Sequence, residues 1–161
     1  QWTIFTVDEI AEMPVEHQDQ FRFLGAASTA SVYAAARRMN ATCGDAWGND
    51  SYAGGCYDAV IRFAPRGPAD ERIQLTKKCL YRCGVPFRED VLILPVFGTE
   101  STPVVQATWK MVVRYAAGIF FGDNMVVIPP SAAWSLYYHH DDIFYFAFEK
   151  DWQYVPEKTR A

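Results

Sequence analysis

The chain has 161 residues, of which 50% are hydrophobic and 16% aromatic, enough apolar material for one packed core and too much for extended disorder. A formal net charge of -4 and a pI near 5.3 exclude the clustered basic surface of a nucleic-acid binder, since Arg37-Arg38 and Lys77-Lys78 are only doublets. The most apolar long run, Val104 to Phe121, is interrupted by Gln106, Lys110 and Arg114, so no membrane span is expected.

Gln1 to Ile10 carries Asp8 and Glu9 and lacks a basic stretch followed by an apolar one, so no secretory signal is expected there. Trp2 to Phe5 reads as strand-like. Thr6 or Asp8 can then cap a short helix through Met13, which Pro14 stops. From about Ser28 to Met39, Val32, Ala35, Ala36 and Met39 recur at helical spacing, with Arg37 and Arg38 placed to complement the helix dipole.

Between Cys43 and Cys56, Gly44, Gly48, Gly54 and Gly55 interleave with Asp45, Trp47, Asn49, Asp50 and Tyr52, which predicts a long loop. Long loops inside compact domains are often functional, so Trp47, Asp50 and Tyr52 are candidate recognition residues. No GxGxxG or GxxxxGK[ST] phosphate cradle occurs in it.

Tyr57 to Phe63 alternates Tyr57, Ala59, Ile61 and Phe63 with Asp58 and Arg62, as a strand does, and Pro65 to Pro68 ends it. Asp70 opens a helix that closes near Cys83-Gly84, with Pro86 beyond. Val91 to Phe97 is a buried or edge strand. After Ser101-Thr102-Pro103, the stripe Val105, Trp109, Val112, Ala116, Ile119 predicts a helix that ends at Gly122 to Asn124. Met125 to Pro130, Ala133 to His140 and Ile143 to Lys150 then read as three successive strands, before a polar tail from Asp151 to Ala161. The expected fold class is therefore α+β: a single domain over residues 1–161, in which an antiparallel sheet with a C-terminal β-meander is covered by helices.

The four cysteines read as reduced thiols. Cys79 and Cys83 have zinc-ligand spacing, but Cys43 and Cys56 stand too far apart in sequence to complete a paired-ligand zinc site. No Gly-x-Ser-x-Gly elbow is present, and no sequence context marks any cysteine as a nucleophile.

The polar break His139-His140-Asp141-Asp142 is the strongest remaining candidate for chemistry. Side-chain alternation along the preceding strand puts Trp134, Leu136, Tyr138 and His140 on one face, and Ser135, Tyr137 and His139 on the other. The two imidazoles are thus expected to point apart, which argues against one shared metal ion, and no cofactor is implied. The neighbouring aromatic residues can fill a core or line a binding surface. Because Ile143, Tyr145 and Ala147 alternate with Phe144, Phe146 and Phe148, both faces of the last strand are apolar and the strand is expected to be central.

The run from Phe120-Phe121-Gly122-Asp123 through Trp134-Ser135-Leu136-Tyr137-Tyr138-His139-His140-Asp141-Asp142 to Phe144-Tyr145-Phe146 resembles the closing strands of small bacterial immunity proteins that neutralise secreted toxins. The resemblance covers only the last third of the chain. It implies a cytoplasmic, non-catalytic inhibitor whose Asp141, Asp142 and aromatic neighbours contact a toxin, and an acidic chain suits a basic partner.

The residues thus favour a protein-binding domain with Trp47, Asp50, Tyr52, His139, His140, Asp141 and Asp142 as its recognition elements. The alternative is a small hydrolase or metal-dependent enzyme using His139 or His140 with Asp141 or Asp142. A third reading is a carrier of a small ligand with an aromatic-lined pocket.

Overall fold

The computed structural model describes residues 7–38, 57–96 and 102–154. Trp47, Asp50 and Tyr52, together with Cys43, Cys56, the strand-like segment 2–5 and the tail beyond Tyr154, lie outside the described residues.

Among the described residues, seven strands form one sheet in the order β1-β4-β3-β5-β6-β7-β2. They are β1 (Arg22–Phe23), β2 (Ala59–Phe63), β3 (Asp90–Pro95), β4 (Val105–Thr108), β5 (Met125–Ile128), β6 (Trp134–His139) and β7 (Ile143–Phe148), and every pairing is antiparallel. The helices are α1 (Val7–Ala11), α2 (Val15–Gln18), α3 (Ala26–Arg38), α4 (Ala69–Arg82), α5 (Trp109–Arg114) and α6 (Ala116–Ile119). The architecture is α+β, and the expected C-terminal meander is present as β5-β6-β7.

Strand alternation divides the core into two layers. On one face Val91, Ile93, Val127, Trp134, Leu136, Tyr138, Phe144 and Phe146 pack with Leu80 of α4, Trp109 and Val112 of α5, and Ala116 and Ile119 of α6. On the other, Leu94, Val126, Tyr137, Tyr145 and Ala147 pack with Tyr33 and Ala36 of α3. β7 lies between β6 and β2 and is apolar on both faces because helices cover both, as its sequence predicts.

α4 ends as its sequence predicts. Gly84 adopts φ +74°, and a Cβ there would run into the Gln153 carbonyl. The C-terminal segment straps this helix end through Trp152 Nε1, which donates to the Cys83 carbonyl at 2.6 Å.

One long helix does not form. Val105 to Thr108, expected to open it, is strand β4, paired with β3 through Val105↔Ile93 and Ala107↔Val91. Four residues satisfy a period of two as readily as one of 3.6, and pairing with an already buried strand decides between them. Thr108 remains extended (φ -90°, ψ 156°), the helix starts at Trp109, and it breaks at Tyr115 (φ -104°, ψ 27°) into α5 and α6. β4 also places β3 inside the sheet rather than at its edge. The short edge strand β1, paired with β4 through Arg22↔Gln106, has too few residues to show periodicity in sequence.

Trp109 and Trp134, both fully buried, meet edge to face at 5.2 Å and join α5 to the sheet. Trp134 Nε1 donates to Glu89 Oε1 at 3.4 Å. Burial raises the Glu89 carboxyl above its ordinary 4.5, against the opposing pull of the Trp134 hydrogen bond. A raised folded-state value favours the protonated acid, so the contribution of Glu89 to stability is complete below its unfolded value and is lost as pH rises through the folded one. Glu89→Gln keeps an acceptor for Trp134 without the charge. The variant is expected to melt higher than wild type at pH 7 and to lose that advantage at pH 4, as read by thermal unfolding at both pH values. An equal loss of stability at both would contradict the account.

Candidate functional site

The register His139↔Ile143 leaves His140, Asp141 and Asp142 as a three-residue connection between β6 and β7. Connections of this length commonly end in a residue with left-handed backbone. Asp142 occupies that position with φ 62°, a conformation that aspartate tolerates better than most residues.

Asp142 faces inward. Its Oδ1 accepts from the Tyr138 hydroxyl at 2.8 Å, and its Oδ2 pairs with Arg72 Nη1 of α4 at 3.0 Å. The Arg72 guanidinium also lies 4.2 Å from the centre of the Phe121 ring. Phe121 itself has positive φ (71°) in the segment that follows α6. Burial, reinforced by the Asp142 carboxylate, pushes the Tyr138 hydroxyl well up, so it stays a proton donor to that carboxylate. Both oxygens of Asp142 are thus committed to holding the turn against the helical layer.

The two imidazoles converge, contrary to the expectation from alternation. Their ring centres are 4.1 Å apart with planes inclined at 33°. β6 ends at His139, and alternation holds only while the backbone stays extended, so His140 turns back beside its neighbour. Asn124 fixes it there, its Oδ1 accepting from the His140 backbone N–H at 2.7 Å and lying 3.0 Å from His140 Nδ1. Asn124 is buried, and its carbonyl is held by the Val96 N–H at 3.0 Å.

His139 Nδ1 accepts from the Asp141 backbone N–H at 3.2 Å and lies 3.4 Å from Asp141 Oδ2. His140 Nε2 lies 3.7 Å from Asp141 Oδ1. Burial lowers the pKa of His139, the adjacent His140 lowers it further, and Asp141 opposes both. One potential ligand atom from each of His139, His140 and Asp141 falls within 4.8 Å of the others. The His140 and Asp141 side chains are 59% and 68% exposed, so the group sits on a projecting turn.

Of the seven residues expected to carry recognition, the structure therefore brings together His139, His140 and Asp141, gives Asp142 an anchoring place, and leaves Trp47, Asp50 and Tyr52 outside the described residues. Sequence reasoning missed Asn124, Arg72 and Tyr138 as organisers of the turn. Asn124 reads in sequence only as part of a helix stop, while Arg72 contacts a residue 70 positions away.

The aromatic residues that could have lined a ligand pocket are core: Trp134, Tyr137, Tyr138, Phe144 and Phe146 are all buried. Depressions elsewhere on the surface are lined by Glu9, Glu12, Met13, Pro14 and Tyr115, and by residues of α4 around Leu75. In the first, Tyr115 bonds through its hydroxyl to His17 Nδ1 at 2.7 Å, which accounts for the third histidine of the chain. No helix among the described residues is long and apolar enough to cross a membrane. No protein-family model matches the chain, and no curated protein matches it.

Proposed function

We propose that this chain is a non-catalytic protein-binding domain that acts in the bacterial cytoplasm as an immunity protein, neutralising a toxin by direct contact. The observation that carries the reading is the β6-β7 turn, fastened from beneath by Asp142 and Asn124 while His140 and Asp141 project into solvent. Fixing a turn before association reduces the ordering cost of binding, and exposed polar groups on a rigid support give register and specificity. The chain's acidic balance complements a basic toxin surface. Trp134, Tyr137, Tyr138, Phe144 and Phe146 are buried in the core and so do not line a pocket for a carried ligand.

The test is titration calorimetry of the full chain against the secreted toxin encoded beside its gene, followed by toxin activity at saturating protein. A stoichiometric complex that inactivates the toxin, weakened by Asp141→Lys, is the expected result. A neighbouring toxin that neither binds nor loses activity, or a gene without such a neighbour, overturns the reading.

The convergence of His139, His140 and Asp141 favours the metal-dependent hydrolase as the second reading, now without Asp142, whose oxygens are engaged. Hydrolysis that needs a divalent ion and is lost in His140→Ala would replace the first reading with this one.

A further inference from the structure

Hydrogen bonding to the backbone fixes which nitrogen of each turn imidazole carries the proton. The His140 main-chain N–H can only donate, so the Asn124 side-chain atom 2.7 Å from it is the oxygen. The same oxygen lies 3.0 Å from His140 Nδ1, so Nδ1 bears the hydrogen in the neutral ring and the lone pair is on Nε2. At His139 the logic reverses: Nδ1 accepts from the Asp141 N–H at 3.2 Å and therefore holds the lone pair. Both lone-pair nitrogens border the Asp141 carboxylate, His139 Nδ1 at 3.4 Å and His140 Nε2 at 3.7 Å.

The two contacts are made to different carboxylate oxygens, and one donor atom from each of His139, His140 and Asp141 falls within 4.8 Å of the others, a spread that a small ion would draw in. With metal–ligand distances of about 2.0–2.2 Å, adjacent donors around a tetrahedral ion stand roughly 3.3 Å apart. The buried Asn124, accepting from the outer N–H of a would-be ligand, occupies the orienting place that carbonyls and carboxylates take behind metal-bound histidines.

We propose that His139, His140 and Asp141 form a three-ligand site for a divalent transition-metal ion of the zinc, copper and nickel group, with Asn124 as the residue that positions His140. Two imidazoles and one carboxylate suit this group better than magnesium or calcium, which prefer all-oxygen shells. The ion takes over Nδ1 of His139 from the Asp141 amide, whose bond is long and lies on an exposed turn where water replaces it. His140 and Asp141 are exposed, so water can complete the shell of a bound ion. The site shares His140 and Asp141 with the proposed toxin-binding turn, and titration with metal in the absence of any toxin separates failure of the one from failure of the other.

The experiment uses the full chain without an affinity tag, titrated with cobalt(II) under visible absorption and with zinc(II) by calorimetry. One ion per chain is expected, with the weak visible bands of nitrogen and oxygen coordination. Asp141→Ala, at an exposed side chain, and His140→Ala are expected to abolish binding. Asn124→Ala should weaken it by about tenfold or more with the stoichiometry and spectrum retained. His17→Ala, remote from the turn, should bind as wild type does. Zinc should also raise the melting temperature of wild type and not of Asp141→Ala. Three results overturn the proposal: no binding by wild type at millimolar metal, an intense near-ultraviolet charge-transfer band showing that cysteine thiolates hold the ion, or undiminished binding by Asp141→Ala. Unchanged affinity in Asn124→Ala overturns the role given to Asn124.

Discussion

Asp142→Ala is expected to destabilise the fold by about 3 kcal/mol, more than any other single substitution in the β6-β7 turn. The carboxylate binds Tyr138 at 2.8 Å and Arg72 at 3.0 Å. The Arg72 and Asp142 side chains are 29% and 33% exposed, so the pair is stronger than a surface salt bridge and weaker than a fully buried one. Removing the carboxylate strands a cation that keeps its contact with the Phe121 ring and whose buried Nε has no hydrogen-bond partner among the described residues. Alanine must in addition adopt φ near 62°, which costs roughly 1 kcal/mol. Glycine loses the same bonds but adopts that φ freely, and asparagine keeps both the conformation and an acceptor for Tyr138. The expected loss is therefore least for Asp142→Asn, intermediate for Asp142→Gly and greatest for Asp142→Ala, spanning about 1 to 3 kcal/mol in urea unfolding. Glycine at least as damaging as alanine would show that left-handed strain does not exceed the extra backbone entropy that glycine loses on folding.

The features that fix this turn are the ones least visible in the chain. β5, β6 and β7 were legible because a strand buried on both faces writes an unbroken apolar run, such as Phe144 to Phe148, between turn residues. α3 and α4 were legible from their periodicity, and the end of α4 from Gly84. The segment from Val104 to Phe121 reads as one helix because the stripe Val105, Trp109, Val112, Ala116, Ile119 keeps a helical period, and only the register with β3 turns Val105 to Thr108 into strand. At the site, residue types were visible but their directions were not. Alternation sends neighbouring side chains apart, yet it ceases at the last paired residue, and His139 is that residue. Whether His140 follows the pleat depends on Asn124, which the sheet delivers from β5's leading end and which no local pattern marks. Arg72 and Asp142 likewise meet only because α4 packs beneath the hairpin.

The largest loss is expected where the two layers depend on one another, at the Trp109 and Trp134 pair. Trp134→Ala should cost about 3–5 kcal/mol, since β6 loses its contacts with α5, Phe146 and Trp152 together. Trp109→Ala should cost a similar amount. In the double variant the losses should fall short of additivity by about 0.5–1.5 kcal/mol, the interaction of an edge-to-face pair. Phenylalanine separates packing from hydrogen bonding. Trp134 donates to Glu89, whereas Trp109 Nε1 is buried without a partner among the described residues. Trp109→Phe removes an unsatisfied donor along with part of the ring, and Trp134→Phe removes a satisfied one and leaves the Glu89 carboxylate with less compensation for its burial. Chemical denaturation should therefore find Trp134→Phe the more costly by about 1 kcal/mol, and combining it with Glu89→Gln should recover part of that difference. Equal costs would mean that the 3.4 Å contact carries no net energy and that the two indoles act only as volume. Because β6 ends in His139, the same packing that holds Trp134 also sets the position of the turn, and a shifted β6 would displace His139 and His140 without any change at the site itself.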